Sequence, residues 1–153
     1  MSESLAVISA QGRTWRFRNS LGRDTAEQNG TVGGFSNPMD IAIDNDGVLF
    51  VLSRGFGYEN LGRGTDIGRR IGKTTIDEDH IGDFARHEFT WPVGIAIAGD
   101  GNVYCSDEYE NKVLFFRPDR ILPFPQFDPK GERLGDWGRP GSAHGEFDGP
   151  AGI

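Results

Sequence analysis

Asp40 stands in the run Pro38-Met39-Asp40-Ile41-Ala42-Ile43, whose other members are apolar. A carboxylate in such a setting does one of two things: it helps to ligate a hard cation, or it caps backbone amides. One acid does not make a metal site. A second candidate region is basic: Arg54, Arg63, Arg69, Arg70 and Lys73 lie within residues 54–73, opposed there only by Glu59 and Asp66. The stretch is therefore net +3 in a chain of net charge −7. Guanidinium groups pair carboxylates and phosphates bidentately, so an anionic partner could use it; the plainer reading is a solvated, Gly-rich loop. Tyr58 and Trp91 are candidate recognition aromatics, although a Trp next to Pro92 equally serves to pack structural units together. Asp107, followed by Asn111 and Lys112, fits a residue that tightens its own hairpin.

Other chemistries lack their residues. The histidines, His80, His87 and His144, are scattered and have no metal-ligand spacing such as His-x-x-x-His. Gly62-Arg63-Gly64 has no Lys-Ser/Thr ending, so it is no phosphate loop. Cys105 is the one cysteine, excludes an internal disulfide, and reads as a small buried thiol. The acidic balance counts against non-specific attraction to nucleic acid or an anionic membrane. No apolar run has the length of a membrane span, and the first residues do not resemble a secretory signal, so a cytoplasmic location is the default expectation.

The elements that must position these residues come from a repeat. Pro38, Pro92 and Pro150 recur after 54 and then 58 residues, each preceded by Phe at three residues and followed by Ile at three. Proline fixes φ and donates no hydrogen bond, so it belongs at the beginning of a strand. The Ile-Ala-Ile runs that follow predict strands buried on both faces. Asp46-Gly47 and Asp100-Gly101 supply hairpin turns into second strands over Val48–Leu52 and Val103–Cys105. Third strands are expected over Arg70–Ile76 and Lys112–Phe116, and fourth strands over His80–Phe84 and Glu132–Trp137. Two further short strands are expected over 5–8 and 14–18. The fold class is all-β, with antiparallel four-stranded units at 35–84 and 89–137 and another beginning at 147–153.

Phe89, Pro92, Gly94, Ile95, Ala96, Asp100, Gly101, Asn102, Tyr104, Asp107, Asn111, Lys112 and Val113 together resemble the NHL repeat. The earlier copy departs from it: Asp40 replaces the usual Gly, Ser53 stands in place of Asp107, and Gly55 to Gly68 is an insertion. The resemblance implies a β-propeller of about six blades. Residues 5–18 would then be the outer strands of a closing blade, and the ring would be completed by C-terminal blades beyond Ile153. It also sorts the loops, placing Asp40, Arg54, Tyr58, Arg63, Trp91 and Asp107 on or near the face where first strands begin.

For function, the resemblance implies a binding scaffold for a protein or small-molecule ligand, held on that loop face around a central channel. The alternative it implies is a metal-dependent lactonase- or lyase-like enzyme. Such an enzyme carries a divalent metal, Ca or Zn, on the axis, with Asp40 as one ligand and others from further blades. RNA binding, known for some members of the family, requires a basic face and is disfavoured by the overall acidity.

Overall fold

A computed structural model of the chain describes residues 7–18, 20–22, 34–55, 68–86, 88–118 and 132–153. These form strands and no helix. A hairpin comprises β1 (Val7–Ala10) and β2 (Arg13–Arg16). The first four-stranded sheet runs in the order β3 (Pro38–Ile43), β4 (Leu49–Arg54), β5 (Arg69–Thr74), β6 (His80–Phe84). The second follows the same order with β7 (Pro92–Ile97), β8 (Val103–Asp107), β9 (Lys112–Arg117) and β10 (Glu132–Trp137). Every ladder in them is antiparallel, so each sheet is a simple meander.

The turns act as the sequence predicts. Gly47 and Gly101 have φ of 81° and 85°, a region that costs a residue bearing a Cβ. Asp44 Oδ1 accepts from the amides of Asp46 and Val48, both at 2.9 Å, and Asp100 Oδ1 accepts from the amide of Asn102 at 3.0 Å. Each first strand is then bulged at the same place, between Pro38 and Asp40 and between Pro92 and Gly94. The bulge follows from the proline, which has no N–H for the ladder.

One core lies between the two sheets. Phe50, Leu52, Ile71, Phe84 and Ala85 of the first meet Phe89, Ile95, Val103, Cys105, Leu114 and Phe116 of the second. Edge-to-face rings cross the seam where Phe84 meets Phe116 at 6.1 Å between centroids, and Phe89 stacks edge-on against Phe116 within the second group at 5.6 Å. Cys105 is fully buried here, and burial, followed by the charge of Asp40, pushes its thiol well above the ordinary range. It behaves as a small apolar side chain.

Two expectations need correction. The Ile-Ala-Ile runs are not equally buried: Ile95 is 4% exposed, whereas Ile41 and Ile43 are 51% and 62% exposed. The first sheet covers Ile95 of β7; in β3 Ala42 packs against the shared core, whereas no sheet among the described residues covers Ile41 and Ile43. Residues 148–153 form no strand, and Phe147 makes only an isolated parallel bridge to Pro140. A strand requires a ladder partner, and none pairs with this segment among the described residues. The bounds of the short hairpin also differ, since β1 runs on to Ala10 rather than ending at 8, residues 5 and 6 of the expected strand lying outside the described residues, and the third strand of the first sheet ends at Thr74 rather than Ile76.

The segment after β10 is nevertheless tied down. Asn111 Oδ1 accepts from the amide of Gly149 at 2.8 Å. Gly138 has φ of 105°, and a Cβ there would fall 2.5 Å from the Phe147 ring and 2.8 Å from the Asn111 carbonyl oxygen. Only glycine fits. The tip returns to β7, where a Cβ on Gly94 would lie 3.3 Å from Gly152 Cα and 3.4 Å from Ile153 N.

Candidate functional site

The ends of β4 and β8 and the beginnings of β3 and β7 come together at one end of the two sheets, because both are meanders of one register. Pro38 pairs with Ser53 and Pro92 with Asp107. This end gathers Arg54, Trp91 and Asp107, with Asp40 slightly further along β3. Tyr58 and Arg63 lie outside the described residues.

Arg54 joins the two sheets. Its Nε donates to the Pro92 carbonyl at 3.2 Å, its guanidinium carbon lies 4.6 Å from the Trp91 ring centroid, and its Nη2 is 3.4 Å from Glu108 Oε2. A guanidinium over an indole face is a favourable cation–π contact, worth more as water is excluded. Arg54 is largely shielded, whereas the Glu108 side chain is half exposed. The ion pair itself adds little to stability in that setting. Glu108 was not evident from the sequence as a functional residue. The available signal was that it occupies in the second repeat the position of Arg54 in the first, with opposite charge.

Asp107 is fully buried, and its carboxylate is enclosed by backbone. Oδ2 accepts from the amides of Thr90 and Trp91 at 2.7 and 2.9 Å, and Oδ1 accepts from those of Tyr109 and Glu110 at 3.1 and 3.0 Å. Four amide donors compensate the loss of hydration that a buried charge otherwise suffers. The residue fixes the loop before β7 to the turn after β8, and so holds Trp91 against Arg54.

Asp40 is engaged by both oxygens. Oδ1 accepts from the amide of its neighbour Ile41 at 2.9 Å, and Oδ2 accepts from the amide of Ile95 in the other sheet at 2.9 Å. The β7 amide reached in this way belongs to a strand whose free edge otherwise faces away from any ladder. Among the described residues no group of three or more His, Cys, Asp or Glu side chains could hold a metal. With Asp40 spoken for by two amides and unaccompanied by other donors, the described residues do not compose the axial metal centre that the resemblance implies.

The remaining basic residues point inward. Arg70 lies 3.3 Å from Asp83 and donates to the Gly34 carbonyl at 2.6 Å, and Asp83 also pairs with Arg86 at 2.7 Å. Arg69 donates to the carbonyls of Arg54 and Phe89, and Lys73 lies over the rings of Phe50 and Phe84 at 5.8 and 5.9 Å. Thus Arg69, Arg70 and Lys73 are nine-tenths or more buried and structural, and they do not form a basic surface with Arg54. No helix among the described residues is long and apolar enough to cross a membrane. No protein-family model and no curated protein matches the chain.

Proposed function

We propose that the chain is part of an NHL-type β-propeller that acts as a binding scaffold, receiving a protein or small-molecule ligand on the face where β3 and β7 begin. The observation that carries this reading is the Arg54–Trp91–Glu108 cluster. A guanidinium is preset against an aromatic ring at the junction of two rigid sheets, and its exposed partner is a carboxylate. A ligand carboxylate that replaces Glu108 would keep the cation–π contact and form a charge-assisted pair with Arg54. The repeat pattern, the two equal meanders and the concentration of loop chemistry at one end support the propeller reading. Further blades would complete the ring and cover the exposed face of β3.

Calorimetric titration with short acidic, neutral and basic peptides tests the function. Acidic peptides should bind, with affinity falling as salt rises. Arg54→Ala should weaken binding by about tenfold, equivalent to about 1.4 kcal/mol, and Glu108→Ala should strengthen it by removing the internal competitor. Equal affinity for all three peptide classes, or an unchanged affinity in Arg54→Ala, would exclude this site.

A further inference from the structure

The two repeats differ at one buried position in a way that leaves polar atoms without partners. Ser53 occupies the place of Asp107, opposite Pro38 as Asp107 is opposite Pro92. Ser36 occupies the place of Thr90, one residue before Asn37 as Thr90 is before Trp91. Ser36 and Ser53 are 1% and 0% exposed, and neither hydroxyl has a hydrogen-bond partner among the described residues. The backbone around them repeats only in part, since Asn37 has a left-handed φ of 47° that Trp91 does not share. Arg54 N donates to the Asn37 carbonyl at 3.1 Å, as Glu108 N donates to that of Trp91 at 3.1 Å. In the second sheet the amides of Thr90 and Trp91 end on Asp107 Oδ2. In the first sheet Ser53 has no carboxylate to offer the corresponding amides of Ser36 and Asn37.

Buried hydroxyls are nearly always hydrogen-bonded, and a polar site with two to four partners is where an internal water or equivalent oxygen resides. We propose that Ser36 and Ser53 form a binding site for a single oxygen acceptor, located where Asp107 Oδ2 lies in the second sheet. The ligand is a water or one oxygen of a small carboxylate, held by the two hydroxyls and by the amide of Ser36, the counterpart of that of Thr90. Gly55 N is already used, donating to the Ser36 carbonyl at 3.1 Å, so the site has donors for one oxygen and not for a full four-amide cage.

A high-resolution crystal structure of the chain, grown once without carboxylate buffers and once with formate, reads the site directly. An ordered oxygen within hydrogen-bond distance of both Oγ atoms supports the proposal. Density of one atom in both crystals identifies water, and formate-shaped density in the second identifies a carboxylate. Two hydroxyls bonded to each other, or to a side chain that fills the space, would overturn it. As a second readout, Ser53→Asp should place its own oxygen there and raise Tm by about 3 °C, a shift typical of a modest stabilisation in a chain of this size. A lower Tm in that variant, with its carboxylate turned out of the site, counts against a place for an oxygen.

Discussion

The carboxylate of Asp40 in β3 accepts a hydrogen bond from the main-chain amide of Ile95 in β7 at 2.9 Å, although the two residues lie 55 positions apart. The same carboxylate holds the amide of Ile41. A single side chain therefore fastens the first strands of two sheets that share no ladder. The corresponding residue of the second repeat is Gly94, where an added Cβ would lie 3.4 Å from Ile153 N. Gly94 has no side chain with which to make such a strap.

Asp40→Ala should destabilise the chain by about 2 kcal/mol, because hydrogen bonds to a charged group carry more than neutral ones. Asp40→Asn, which keeps one acceptor oxygen, should lose about half of that. Urea unfolding curves measure both. A change within error for Asp40→Ala would mean that the Ile95 amide finds an equally good partner in solvent.

Asp107→Ala should be more severe, at about 3 kcal/mol or more, since four amides lose a shared acceptor in a site with no access to water. Hydrogen exchange at Thr90, Trp91, Tyr109 and Glu110 should accelerate together. Acceleration at only one pair would show that the two halves of the cage open separately.

Gly138→Ala should cost about 2 kcal/mol, from positive φ and from contact with Phe147 and the Asn111 carbonyl. The loss should be local, released as faster exchange at Phe147 and Gly149 with little change near β4 and β8.

Stability should depend on His80 at mildly acid pH. Burial is the main cause that lowers its pKa below the ordinary value; Asp83 opposes this, and Arg70 and Arg86 add to it. Folding thus favours the neutral ring. Above the unfolded value of about 6.5 the group carries no penalty. Stability should fall as pH drops from there through the lowered folded-state pKa, below which the loss is complete. His80→Gln should flatten that part of a Tm-against-pH profile, while the parent chain retains the slope.

Much of the local architecture was legible in the sequence because its signals are short-ranged. Asp-Gly pairs fix the hairpins, prolines fix where first strands begin, and β6 and β10 occupy the residues that the repeat alignment assigns to them. The unequal burial of Ile41 and Ile95 was not legible, since equal sequence patterns receive different neighbours and only packing decides which face is covered. The site divides in the same way. Asp107 can be placed on its hairpin from local spacing. The Arg54–Glu108 and Asp40–Ile95 contacts join residues of different sheets and carry no local signature. The net charge of residues 54–73 overstated a basic surface, because Arg69, Arg70 and Lys73 are taken into the interior by carboxylate, carbonyl and ring partners.

The apolar interior described above belongs to neither sheet by itself, as Phe84 and Phe116 interlock across the seam and Leu52 and Cys105 of the two sheets are buried in the same core. The two meanders are consequently one cooperative unit. Heat or denaturant should melt them in a single transition reported alike by far-UV and near-UV dichroism. A chain divided between Arg86 and Glu88 should yield halves that stay unstructured apart and regain their strands only when mixed.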